Sequence, residues 1–256
     1  MKRLEGKVAL ISGTARGQGR AAALRFAAEG ALVVGGDLLH EEAVETQRLI
    51  AREGGTALTT GPLDVTDEHS VRTWAEEAVD AFGGIDIVFA NAGTVRFEAV
   101  DSQPYDDFAS TLRAELKSVW LTAHAAWSHL IRSRGCILTA GWTRGLSGSL
   151  TNRRTAKGGV IALTQQIAVE GAPHGIRANC VTPGVIDTVG SRVDLLLAKD
   201  HPMRDIARHI PPSRVGTPDD VVEAAVFLAS EEASHITGTH LVVDSNWSAV
   251  LPSAAH

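Results

Sequence analysis

Short apolar runs alternate along this chain with longer stretches in which apolar positions recur every three or four residues. The runs at Val8–Ser12, Ala31–Gly35, Thr56–Thr60, Ile85–Ala90, Cys136–Ala140, Ile176–Val181 and Leu241–Val243 predict strands. Helical periodicity predicts helices between them, over Gly17–Glu29, Glu41–Glu53, Glu68–Phe82, Tyr105–Ile131, Thr155–Gly171 and Asp219–Ser230. The strand runs are apolar throughout rather than alternating, which is the pattern of strands covered on both faces. Strand and helix in regular turn predict an α/β fold: a doubly wound Rossmann architecture with a seven-stranded parallel sheet and ligands at the carboxyl ends of its strands.

No internal repeat, low-complexity tract or linker interrupts the pattern, so residues 1–256 read as a single domain. Residues 189–216 are the least regular part. They carry His201, His209, three prolines and scattered charges, and read as a lid or insertion over a substrate site. With 256 residues and 44% apolar content, the chain can bury one large core. A net charge of -6 argues against a polyanion-binding surface, so nucleic acid is not an expected partner. Cys136 and Cys180 both fall in apolar strand runs and read as buried small hydrophobes, with no metal site expected. No apolar run approaches the ~20 residues that span a bilayer. A cytoplasmic protein without a membrane partner is the expectation.

Candidate chemistry begins where the first strand meets the first helix, at Ser12-Gly13-Thr14-Ala15-Arg16-Gly17-Gln18-Gly19. Small residues there let the backbone approach a pyrophosphate, and the helix N-terminus offers unpaired N–H groups with a favourable dipole. The second strand run leads into Gly36-Asp37, which places a carboxylate beyond the loop. An acid at that place accepts hydrogen bonds from the adenosine ribose and repels a 2′-phosphate, favouring NAD over NADP. Asp37 also admits a reading as the N-cap of the helix that follows, and Arg16 is the residue that would assist a phosphorylated cofactor.

Further motifs follow: Leu63-Asp64-Val65; Ala90-Asn91-Ala92-Gly93; Arg177-Ala178-Asn179-Cys180-Val181-Thr182-Pro183-Gly184 with Ile186 and Thr188; and Arg214-Val215-Gly216-Thr217-Pro218. Together with the glycine loop, they resemble the short-chain dehydrogenase/reductase family over nearly the whole chain. The resemblance implies that Gly13, Arg16, Gly17, Gln18 and Gly19 cradle the cofactor phosphates, and that Asp64 and Val65 meet the adenine. It also implies that Asn91, Ala92 and Gly93 line the cofactor and that Pro183, Gly184, Ile186 and Thr188 embrace the nicotinamide carboxamide. The end around Trp247 resembles the family's subunit-contact region, implying a homo-oligomer, either tetramer or dimer.

The family's active site is a set of Asn, Ser, Tyr and Lys, and here only Lys157 matches. Arg153 stands at the Tyr position. A guanidinium is always protonated near neutrality, so it donates hydrogen bonds but does not exchange protons. The Ser position falls on Ala140 or on Trp142, depending on whether Arg153 or Gly145 sets the register, and neither carries a hydroxyl. The Asn position is Glu115. Tyr105 is the single tyrosine in the chain and lies far from the motif. Thr139, Thr143, Ser147 and Ser149 are near the Ser position, but aliphatic hydroxyls are too weakly acidic to replace a tyrosine unaided.

Glu115 is thus the one ionisable acid at an inherited active-site position. It serves either as a general acid or base or as an internal counterion to Arg153 and Lys157. Arg153, Lys157 and Arg144 form a cationic group that calls for an anion: Glu115 itself or an anionic substrate, with Trp142 as an aromatic wall. His124 and His129 read as packing or surface residues. Three function classes remain: an NAD-linked oxidoreductase with an altered proton path, a non-redox enzyme on the same scaffold, and a catalytically silent NAD-binding subunit or sensor.

Overall fold

The computed structural model of the chain describes residues 2–94, 99–142, 151–189, 210 and 213–248, with backbone alone for 151–153. Among these residues, seven strands form one parallel sheet: β1 Val8–Ser12, β2 Leu32–Gly36, β3 Thr56–Leu58, β4 Ile87–Ala90, β5 Cys136–Ala140, β6 Arg177–Pro183 and β7 His240–Val243. Their order is β3-β2-β1-β4-β5-β6-β7. The chain winds outward from β1 to β3, crosses back to β4, and winds outward again on the other side. The reversal between β1 and β4 opens a crevice at their carboxyl ends, where doubly wound sheets bind ligands.

Seven helices are described: α1 Gly17–Ala28, α2 His40–Arg52, α3 Glu68–Phe82, α4 Tyr105–Leu112, α5 Ser118–Ser133, α6 Thr151–Gly171 and α7 Pro218–Ala229. Alternate strand residues feed two cores, because successive side chains leave a strand on opposite faces. Ala9 and Ile11 join Phe26 of α1 and Val226 of α7 on one face. Val8 and Leu10 join Trp74 of α3, Leu130 of α5 and Val160 of α6 on the other. Phe26 stacks on Phe89 with ring centroids 6.4 Å apart, a contact of about 1 kcal/mol beyond the area it buries. At the sheet's other end, Glu29 binds Arg3 and Arg25 at 2.8 and 2.9 Å. The hydrogen bond from Arg3 holds the Glu29 carboxyl below its ordinary range. This tie is therefore fully formed at neutrality and is lost only as acid protonates Glu29.

Most predicted boundaries shift by a residue or two. β4 starts at Ile87 rather than Ile85 because Asp86 turns its carboxylate onto the Val8 N–H at 2.8 Å. β3 stops at Leu58, two residues short of the expected end. α6 begins at Thr151, which places the backbone of Arg153 inside the helix. One difference bears on chemistry. The expected continuous helix over Tyr105–Ile131 is α4 and α5 joined by a π turn at Arg113–Lys117, where the Ser118 N–H bonds to the Arg113 carbonyl five residues back. The extra residue rotates the following helix face and sets Glu115, 2% exposed, toward the interior. No helix of the described residues is long and apolar enough to cross a membrane.

Candidate active site

A cavity of about 580 Å³ lies across the carboxyl ends of the central strands. Its walls include every residue that the sequence nominates for cofactor binding, from Gly13 to Thr188. The floor is the turn between β1 and α1. Gly13 and Gly17 have φ of +80° and +57°, a conformation natural to glycine. Gly19 is required for space: a Cβ there would lie 1.9 Å from the Gly13 carbonyl oxygen. The loop can therefore fold back on itself and present backbone to a ligand. Arg16 at the N-cap of α1 makes no side-chain capping bond, so no such bond occupies the helix's first N–H groups. Ser12 anchors the neighbouring turn, its Oγ accepting the N–H groups of Asn91 and Ala92 at 3.1 and 3.0 Å.

At the far end of the loop, Asp37 accepts the Ala15 N–H at 3.0 Å on Oδ2 and the Leu39 N–H at 2.9 Å on Oδ1. The helix after it begins at His40 with Leu39 at the N-cap, so Asp37 closes a local turn and pins the glycine loop rather than capping a helix. Each oxygen keeps a second lone pair for a ligand. Arg16 sits beside it, with Nε 3.7 Å from Glu42 Oε2. Asp64 is bound to Thr66, accepting its N–H at 2.8 Å and its hydroxyl at 2.7 Å on Oδ1.

The opposite end holds the ionisable groups. Lys157 Nζ, on α6, donates to the Ala140 carbonyl at 2.8 Å and lies 2.5 Å from Glu115 Oε2. Both side chains are buried, at 9% and 2% exposure. Glu115 Oε2 has no aligned hydrogen bond among the described residues, so its contact with Lys157 is a charge pair that leaves acceptor capacity open. Gly93 makes room for it: a Cβ at position 93 would lie 2.7 Å from Glu115 Oε1. Ala140 ends β5 at the expected hydroxyl position. Trp142, two residues on, lines the cavity and is backed by Val185, Ile210 and Trp247.

Comparison with known proteins follows this geometry closely. A family model described as enoyl-(acyl carrier protein) reductase matches residues 13–247. A 3-oxoacyl-[acyl-carrier-protein] reductase of Thermotoga maritima is 34% identical over 247 residues, covering 94% of this chain and 98% of its own length. An L-rhamnose 1-dehydrogenase (NAD(P)(+)) of Azotobacter vinelandii is likewise 34% identical over 247 residues, covering 93% and 95%. The crystal structure of a short-chain type dehydrogenase/reductase from Mycobacterium marinum superposes with a TM-score of 0.90 at 32% identity, over 96% of this chain and 97% of that one. The chain belongs to the short-chain dehydrogenase/reductase family. It thereby joins a family of oxidoreductases that use nicotinamide nucleotides.

Within this family frame, the structure brings Glu115, Lys157 and Trp142 to one cavity end. Arg144 lies outside the described residues, as do Thr143, Ser147, Ser149, His201 and His209, and nothing is described of the Arg153 side chain. Arg154 is exposed. Tyr105 is 79% exposed at the start of α4 and does not line the cavity. Thr139 is fully buried against Thr164 at 2.7 Å, which commits its hydroxyl to packing. His124 is exposed and stacks on Trp120 at 4.8 Å. Cys136 and Cys180 are both buried, and burial pushes the Cys136 thiol up to about 11. Among the described residues, no His, Cys, Asp or Glu group is placed to hold a metal.

Val189 lines the cavity, and Ile186 pairs with Gly216 across an isolated bridge. Sequence reasoning missed Ser12 and Leu39. Ser12 acts through the register that sets β1 beside β4, and no local pattern carries that pairing.

Proposed function

We propose that this chain is an NAD(H)-linked oxidoreductase in which the buried Glu115–Lys157 pair replaces the family's tyrosine-centred proton path. The observation that carries the reading is the position of that pair in the cavity that the glycine loop enters. The loop fits a dinucleotide. Its glycines admit close approach, its helix N-terminus is not capped by a side chain, and Asp37 offers lone pairs to ribose hydroxyls. Bound there, the nicotinamide supplies or accepts the hydride.

The chain's own groups do the rest. Lys157 commits one N–H to Ala140 and its charge to Glu115, and its remaining donor capacity serves the ribose hydroxyls. Glu115 takes the proton from a substrate hydroxyl as its carbon gives up hydride, and returns it when a carbonyl is reduced. Trp142 and the apolar cluster behind it limit water. Arg153 precedes Lys157 by one turn of α6, the spacing of two residues on one helix face. With Arg144 it favours a small carbonyl metabolite bearing a negative charge, which a guanidinium binds bidentately.

Calorimetry with NADH and NADPH, followed by nicotinamide absorbance against carboxylate-bearing and neutral carbonyl compounds, tests this reading. NADH is expected to bind at least about tenfold more tightly, since a 2′-phosphate would face the Asp37 carboxylate. Turnover is expected with a charged carbonyl compound before a neutral one. Failure to bind either nucleotide overturns the reading. Equal affinities remove Asp37 from its selective role.

One observation favours a second reading. Lys157 already has two partners within the protein, which suits a silent NAD-binding subunit whose site is closed by its own ion pair. NADH binding without absorbance change against any carbonyl compound is the result that reading expects.

A further inference from the structure

At the adenosine end of the cavity, Asp37 is built into the loop itself, because its two oxygens hold the Ala15 and Leu39 N–H groups. Substituting it unseats the loop as well as changing its charge. A second carboxylate stands close by without that structural burden. Glu42, in the first turn of α2, lies 3.7 Å from Arg16 Nε, and both side chains are about half exposed.

Three hydrogen bonds set this spacing. Arg20 of α1 donates through Nη2 to the Glu42 carbonyl at 3.0 Å and through Nε to Thr46 Oγ1 at 2.9 Å. Thr46 in turn donates to the Thr14 carbonyl at 2.7 Å, inside the glycine loop. The start of α2 is thus tied to the loop that carries Arg16. Among the described residues that line the cavity, Arg16 is the one guanidinium, and Lys157 stands at the other end.

We propose that Glu42 is a second cofactor-specificity residue acting through Arg16: it neutralises and holds the guanidinium that would otherwise clasp a 2′-phosphate. This rests on the dinucleotide reading above. A phosphate gains most from a guanidinium that can turn both its N–H edges to it. Here the Nε edge faces Glu42. NAD(H) carries no phosphate at that hydroxyl and is indifferent to the pair. A purely structural role for Glu42, such as favouring the N-terminus of α2 through the helix dipole, would affect both cofactors alike.

The test is a set of four proteins, wild type, Glu42→Gln, Arg16→Ala and the double variant, titrated calorimetrically with NADH and NADPH at low and high salt. Exposed ion pairs are weak, so Glu42→Gln is expected to tighten NADPH by about fivefold at low salt and to change NADH by less than about twofold. The gain should shrink at high salt and vanish in Arg16→Ala/Glu42→Gln. An unchanged NADPH affinity in Glu42→Gln overturns the proposal. So does a gain that survives removal of Arg16, or an equal shift for both cofactors. Wild-type failure to bind either nucleotide overturns the dinucleotide reading and this proposal with it. Equal wild-type affinities count only against Asp37, because the Glu42 comparison still reads the coupling to Arg16.

Discussion

Replacing Glu115 by Gln is expected to lower both stability and turnover sharply, and by separable routes. Lys157 would remain buried with its anion gone and, among the described residues, the Ala140 carbonyl as its remaining partner. Breaking a buried ion pair from one side costs about 3–5 kcal/mol, which lowers Tm by roughly 10 °C in a chain of this size. Loss of positioned proton transfer removes a further factor of about 10²–10⁴ from turnover. The double variant Glu115→Leu/Lys157→Met takes both charges out. It is expected to regain most of the lost stability, as buried pairs often do when replaced by apolar groups, while turnover stays low. Thermal melting and nicotinamide absorbance read the two effects independently. If Glu115→Gln keeps wild-type turnover, Glu115 is a counterion and nothing more. Gly93→Ala offers a milder version, because its Cβ would press on the same carboxylate.

Oxidation of simple secondary alcohols is expected to run about 10²–10⁴-fold below a typical enzyme turnover of about 10 s⁻¹. Arg153 holds the Tyr position, and both residues that can claim the Ser position, Ala140 and Trp142, lack a hydroxyl. Trp142 is also packed against Val185 and Trp247, so its place cannot be lent to an orienting water without repacking. Arg153→Tyr alone should therefore recover less than about tenfold, since residues that act as a set do not add. Steady-state rates with NAD and a panel of neutral alcohols decide the matter. Wild-type rates of about 1–10 s⁻¹ would mean that Glu115 serves neutral alcohols as fully as a tyrosine would, with no carboxylate held by Arg153.

The fold was legible because its signals are local. Apolar runs, helical periodicity and glycine turns located all seven strands, and the glycine loop, Asp37 and the Asn91-Ala92-Gly93 turn fell on one cavity as expected. What escaped the sequence depends on contacts between distant segments. The π turn at Arg113–Lys117 has no propensity signature, yet it decides that Glu115 faces inward. Asp37 read as a ribose ligand or a helix cap, whereas its bonds to Ala15 and Leu39 also make it the pin of the loop. The tie from Arg20 through Thr46 to Thr14 links three segments that nothing in their spacing connects. That Glu115 pairs with Lys157 emerged only from their 2.5 Å approach, while Arg144 and the Arg153 side chain lie outside the described residues.

The most direct measurement is a crystal structure of the protein with NADH and a carboxylate-bearing carbonyl compound. The nicotinamide is expected at the Pro183–Thr188 end of the cavity, with Lys157 Nζ about 3 Å from its ribose hydroxyls and Glu115 still paired behind it. The Arg153 guanidinium is expected on the compound's carboxylate, with the reacting carbonyl within about 3.5 Å of the nicotinamide and in reach of Glu115. A nicotinamide directed away from the Glu115–Lys157 pair, or Arg153 turned out to solvent with the compound bound elsewhere, would contradict the account.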